Sequence, residues 1–143
     1  ELIGSLSHLW PRLAIAIHGD SRVWTDRRAL ESIIRNIAQN ASRHGPATKL
    51  DIHCEMRAAD LGAGGFATIR FSDNGRGFEG DVKRLGEIFS RHTGSSGSGI
   101  GLYLVAKLVS RLGGNAKVKS ETSGDGRGFT VEIELPIEPK GLK

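Results

Sequence analysis

Two glycine-rich segments constrain this chain most. The first, Asp73-Asn74-Gly75-Arg76-Gly77, closes a strand-like run, and the second, Gly97-Ser98-Gly99-Ile100-Gly101-Leu102, opens an amphipathic helix. Alternate glycines let a flat ligand approach the backbone closely. A carboxylate on the edge of such a turn, Asp73, can accept from a base amino group. Free N–H groups at the start of a helix attract anions. Upstream, Asn36 and Asn40 stand four residues apart, so both amides share one helical face. Amide oxygens are hard, neutral ligands suited to Mg²⁺, which keeps several waters and takes few protein ligands. Together these features predict a nucleotide site with a metal ligand.

Each feature also has a plainer reading. Asp-Asn-Gly is ordinary turn chemistry. A lone Gly-x-Gly-x-Gly serves as a flexible linker, and two mid-helix asparagines can be a solvated face despite their poor helix propensity. The second segment is not a dinucleotide fingerprint, because no strand leads directly into it, and no Gly-Lys-Ser/Thr makes it a phosphate loop. Arg43, one turn beyond Asn40, can reach a phosphate. His44 either packs on a base or caps the helix C-terminus.

Periodicity orders the elements. An isoleucine-rich run over residues 13–18 predicts a strand, and Val23-Trp24 a second, very short one. Thr25 or Asp26 then caps a helix whose apolar positions Leu30, Ile33, Ile34, Ile37, Ala38 and Ala41 recur at steps of three and four. Gly45-Pro46 ends it. Residues 49–56 and 66–72 alternate apolar and polar side chains and predict an antiparallel hairpin across a small-residue loop. A short helix is expected around Leu85 to Phe89, a mobile loop over 90–98, and an amphipathic helix over 100–112 stopped by Gly113-Gly114. Two closing strands, 116–120 and 129–135, flank a glycine-rich turn, and Pro136 ends the second. This order predicts an α+β fold: a two-layer sandwich of a mixed, mostly antiparallel sheet with helices on one face. No internal repeat or domain linker interrupts it.

Composition narrows the function classes. A chain of 143 residues fits one domain with a real core. No apolar run approaches the roughly 20 residues that cross a bilayer, and no signal peptide opens the chain. Net charge is +4 with pI near 9.6, yet the cations are dispersed among acids and no aromatic stacking platform accompanies them. Nucleic acid is therefore not an expected partner. Cys54 is the sole cysteine, so no internal disulfide forms, and a buried structural thiol is expected.

At these residues the chain resembles the catalytic ATP-binding domain of bacterial two-component sensor histidine kinases, in the superfamily with gyrase, Hsp90 and MutL (the Bergerat fold). Asn36-Ile37-Ala38-Gln39-Asn40-Ala41-Ser42-Arg43-His44 is similar to the asparagine box. Asp73-Asn74-Gly75-Arg76-Gly77-Phe78 resembles the first glycine box, Glu87-Ile88-Phe89 the phenylalanine box, and Gly97 to Leu102 the second glycine box. The run from Gly126 to Pro136 resembles the closing strand. The resemblance covers about residues 13–136, within a single domain of 1–143.

The resemblance implies ATP and Mg²⁺ as cofactors. It implies that Asp73 accepts from the adenine amino group, with Thr130 helping through water, and that Gly75 and Gly77 admit the base. Asn40 would hold Mg²⁺, Asn36 would sit beside the γ-phosphate, and Arg43 would contact phosphate oxygens. Gly97, Gly99, Ile100, Gly101 and Leu102 would line the phosphates, with the donors on Gly99 and Gly101. Phe89 would anchor a lid over residues 90–98, and His44 stands where relatives carry a tyrosine. Gyrase-like ATPases and anti-sigma-factor serine kinases place a glutamate four residues before the metal asparagine, and here that residue is Asn36. An amide is no general base, which favours transfer to histidine over hydrolysis. None of His8, His18, His44, His53 and His92 has the family's acceptor context. The acceptor is thus expected on helical dimerisation segments outside this chain, in a homodimeric kinase that serves a response regulator, with this domain cytoplasmic whether or not the parent is tethered to an inner-membrane receptor. This domain itself would touch no membrane. A hydrolysing ATPase, a serine kinase, and a nucleotide-binding module without catalysis are the rival readings.

Overall fold

The computed structural model describes residues 9–19, 26–44, 47–57, 65–75, 98–121 and 128–137. Its elements are β1 (Ala14–His18), α1 (Arg27–His44), β2 (Lys49–Arg57), β3 (Phe66–Asp73), α2 (Ser98–Arg111), β4 (Asn115–Glu121) and β5 (Gly128–Pro136). The strands form one five-stranded sheet in the order β1-β2-β3-β5-β4. β1 runs parallel to β2, and every other pairing is antiparallel. The single parallel pair is the one joined by a helix, because parallel neighbours need a crossover connection. The expected mixed, mostly antiparallel sheet with helices on one face is what forms.

Strand alternation divides the sheet into a packed face and an open one. Leu50 and Ile52 of β2, Ala67, Ile69 and Phe71 of β3, and Val131, Ile133 and Leu135 of β5 are all buried. They join Ile33, Ile34, Ile37, Ala38 and Ala41 of α1 and Val105 and Val109 of α2 in one core cluster, apart from Ala67, which is buried outside it. Each large aliphatic or aromatic side chain so buried contributes about 1.5–3 kcal/mol. The intervening residues, Asp51, His53, Arg70, Thr130, Glu132, Lys117 and Lys119, take the open face. There His18 and His53, direct partners in the ladder, stack with ring centroids 4.5 Å apart, and His18 Nε2 lies 3.3 Å from Asp51 Oδ1.

Helix ends follow local chemistry. Asp26 is the N-cap of α1: its Oδ1 accepts from the Arg28 N–H at 2.9 Å. The C-terminus of α2 is a Schellman cap, with the Gly114 N–H on the Val109 carbonyl and the Gly113 N–H on the Ser110 carbonyl. Gly113 takes φ +83° to make it.

Several element boundaries differ from expectation by one or two residues. α2 begins at Ser98, two residues before the predicted start. A glycine in a helix costs only about 1 kcal/mol, and the burial of Val105 and Val109 outweighs that cost. β2, β4 and β5 each extend a residue or so beyond their apolar runs because ladder hydrogen bonds, not side chains, set their ends. The expected Val23-Trp24 strand, the stop at Gly45-Pro46, the short helix at Leu85 to Phe89, and residues 90–97 of the lid lie outside the described residues. Among the described residues no helix is long and apolar enough to cross a membrane.

Candidate functional site

The site is built from the end of β3 outward. Alternation places Asp73 on the packed side with Phe71, at the last position of the strand. Its Oδ1 accepts two backbone donors: the Gly75 N–H at 2.9 Å and the Phe129 N–H at 3.1 Å. The first closes an Asx turn, the local bond that Asp-x-Gly favours. The second comes from the neighbouring strand β5. Among the described residues, two donors hold Oδ1 and none reaches Oδ2. Burial raises the carboxyl pKa above its ordinary value, opposed by the two N–H bonds from Gly75 and Phe129. Gly75 itself is buried.

Asn74 does different work from its neighbour. Its Oδ1 accepts from the Thr48 and Lys49 N–H groups, each at 2.9 Å, and its Nδ2 donates to Thr48 Oγ1 at 2.9 Å. It thereby fastens the end of β3 to the start of β2. With Asp73 tied to β5, the turn is anchored to both flanking strands, which makes the base of the site rigid.

The second component stands on α1. Asn36 and Asn40 are both half-buried on one face of the helix. Asn36 Nδ2 donates to the Ser32 carbonyl at 2.7 Å and lies 3.5 Å from Ser32 Oγ. Its nitrogen is committed to its own helix, which leaves the amide oxygen as its outward atom. Asn40 has no hydrogen-bond partner among the described residues, so its whole amide is available. Ile37 and Ala41 hold this helix in the core cluster that also contains Phe71, two residues before Asp73.

The third component is the start of α2, where Ser98, Gly99 and Ile100 form the first turn and Gly101 and Leu102 follow. The first N–H groups of any helix lack partners four residues back, so the donors expected of this glycine segment belong to a helix and not to a preceding loop. α1 and α2 pack against each other. Arg43 and His44 complete the last turn of α1, but their side chains, with Gly77, Phe89 and Gly97, lie outside the described residues.

Thr130 is the assigned residue that the structure corrects. It pairs with Ser72, and its Oγ1 donates to Ser72 Oγ at 3.3 Å, on the open face. Asp73 faces the other way. The residue of β5 that reaches Asp73 is Phe129, through its backbone N–H. The alternation Phe129, Val131, Ile133, Leu135 on the packed side already puts Thr130 outside, so that signal was present in the sequence. The Phe129 donor carries no side-chain signature and was not. A recess of about 360 Å³ lined by Arg70, Lys117, Val118, Lys119, Thr130 and Glu132 also opens on the face opposite Asp73.

Residues 25–139 match the family model described as histidine kinase-, DNA gyrase B-, and HSP90-like ATPase. Curated relatives include the sensor protein IrlS of Burkholderia pseudomallei, 34% identical over 114 residues covering 75% of this chain and 23% of that protein. The swarming motility regulation sensor protein RssA of Serratia marcescens is 34% identical over 125 residues, covering 85% and 26%. The autoinducer 2 sensor kinase/phosphatase LuxQ of Vibrio parahaemolyticus is 29% identical over 134 residues, covering 87% and 15%. The chain thus spans about a seventh to a quarter of the length of these relatives. Among solved structures, the catalytic domain of histidine kinase ThkA superposes with TM-score 0.73 at 19% identity, covering 97% of this chain and 93% of that one. Full-length ShkA in complex with AMPPNP superposes with TM-score 0.69 at 27% identity, covering 94% and 29%.

Proposed function

The chain belongs to the family of histidine kinase-, DNA gyrase B- and HSP90-like ATPases, as an ATP-binding domain of the sensor-histidine-kinase kind, and from that membership we propose that it binds Mg-ATP and presents the γ-phosphoryl group to a histidine on separate dimerisation helices. The observation that carries this reading is Asp73, half-buried, with Oδ1 held by two backbone donors and Oδ2 left as an acceptor. Such an oxygen is complementary to an exocyclic amino group and repels a carbonyl.

The residues fit the implied cofactors. Asp73 Oδ2 would take the adenine amino group, beside the backbone at Gly75 and Gly77. Asn40 would hold Mg²⁺ together with phosphate oxygens and water, and the outward oxygen of Asn36 is likewise suited to a cation. Among the described residues no cluster of three His, Cys, Asp or Glu side chains competes as a metal site. When bound, Mg²⁺ would neutralise phosphate charge. The N–H groups of Gly99 and Gly101, with Arg43, would orient the phosphates. His44, Ile100 and Leu102 would border the nucleotide, and Phe89 and Gly97 would bracket a lid over it. Phosphoryl transfer asks mainly for positioning and charge neutralisation, which this set supplies.

Asn36 separates transfer from hydrolysis. Its amide cannot take a proton from water, whereas a histidine acceptor brings its own nucleophilic nitrogen. The acceptor helices of a homodimeric parent kinase and a response regulator downstream are the partners this reading implies.

Calorimetry of the chain with ATP tests it. Mg²⁺ is expected to strengthen ATP binding in the wild type, and Asn40→Ala to abolish most of that gain. Equal affinity with and without Mg²⁺ in both proteins would contradict the metal assignment.

A further inference from the structure

Gly128, the first residue of β5, is buried and has φ +147°. That backbone conformation is rarely adopted by residues with a side chain. A Cβ built there would collide with the Asp73 carbonyl oxygen, and would stand 2.9 Å from the Asp73 carbonyl carbon and 3.3 Å from Oδ1. All three neighbours belong to one residue. The next residue, Phe129, supplies the N–H that holds Asp73 Oδ1 at 3.1 Å. The absence of a side chain at position 128 therefore has a local consequence: it lets β5 close on Asp73 far enough for that bond to form.

We propose that Gly128 is a positioning residue for base selection, allowing the Phe129 N–H to fix Asp73 Oδ1 so that Oδ2 alone faces the purine edge. The proposal rests on the reading of Asp73 as the base acceptor. With Oδ1 occupied by two donors, the carboxylate cannot rotate to offer either oxygen. Its remaining acceptor is aimed, and an aimed acceptor discriminates a 6-amino from a 6-oxo purine more sharply than a rotating one. A side chain at 128 pushes β5 away from Asp73, frees the carboxylate, and blunts the choice. The same clamp makes a second statement. In Asp73→Asn the amide oxygen can keep both backbone donors, and the NH₂ then stands where Oδ2 stood. A donor replaces an acceptor, and the favoured base changes from 6-amino to 6-oxo.

The test compares ATP with ITP, which carry the same sugar and phosphates and differ at the base edge. Affinities are measured by calorimetry for the wild type, Gly128→Ala, Asp73→Asn and Gly114→Ala. The last is the packing control, because a Cβ at 114 would meet the Glu134 carbonyl oxygen, elsewhere on β5. The wild type is expected to prefer ATP by about tenfold or more. Gly128→Ala should bring the ATP/ITP ratio close to one, Asp73→Asn should invert it, and Gly114→Ala should lower thermal stability with the ratio unchanged. A folded Gly128→Ala protein that keeps the wild-type ratio would overturn the proposal alone. If Gly128→Ala does not fold, Asp73→Asn decides: inversion supports the clamp, and a ratio that stays in favour of ATP overturns it. A wild type that binds neither nucleotide would overturn the reading of the site and the proposal with it.

Discussion

Two backbone N–H groups donate to one oxygen of Asp73, while partial burial takes its charge out of water. Burial wins, so the folded-state pKa is raised, and the sign of the consequence follows. A carboxyl with a raised folded pKa binds its proton more tightly in the folded chain than in the unfolded one. Its contribution to stability is fully present below the unfolded value and is lost as pH rises through the folded value. Above that folded value the ionised side chain therefore weighs against folding. Asp73→Asn should lose ATP binding yet melt at or above the wild-type temperature at neutral pH without nucleotide, and the difference should shrink as pH falls through the raised folded value. Thermal denaturation at a series of pH values checks this. An Asn variant that melts well below the wild type at neutral pH would show that the carboxylate is a structural ion and not a functional charge held at a cost.

At the scale of elements, the end of β3 is fastened sideways in two directions, to β5 through Asp73 and to β2 through Asn74. The Asn74 amide makes three hydrogen bonds to Thr48 and Lys49. Asn74→Ala should lower stability by about 1–2 kcal/mol and leave the preference of the site for ATP over ITP in place, by denaturant titration and calorimetry together. Loss of that preference would mean that β2, not β5, sets the orientation of Asp73. Much of this framework was legible in the sequence. The period-two pattern of β2, β3 and β5 and the three-four pattern of α1 are strong because each element buries one face only. The asparagine pair stood out because asparagine is a poor helix former, and Asp73 because two glycines two apart follow it. Other features were hidden for physical reasons. A backbone donor such as the Phe129 N–H has no residue type to announce it. Asp73 and Asn74 share one turn motif but bond to different strands, β5 and β2, which only the strand order reveals. Gly99 suggests loop by propensity, yet packing of Val105 and Val109 draws it into α2. Thr130 was assigned to the site by likeness to the family's closing strand, against the alternation that places it on the open face.

At the scale of the molecule, one core cluster joins α1, α2, β2, β3 and β5, so the amides of α1, the first turn of α2 and the carboxylate of β3 are mounted on a common base. The open face of the sheet carries charged and polar side chains and none of Asn36, Asn40 and Asp73. On α1, four residues before Asn40, position 36 offers an amide and no carboxylate. In the proposed function the phosphoryl group leaves ATP for a histidine outside this chain and not for water. Incubation with γ-labelled Mg-ATP and the dimerisation helices of the same full-length protein measures this directly. The predicted result is acid-labile label on a histidine of those helices, slow release of inorganic phosphate, and no label on His8, His18, His44, His53 or His92. Stoichiometric label on any of those five, or phosphate release that outruns transfer, would contradict it.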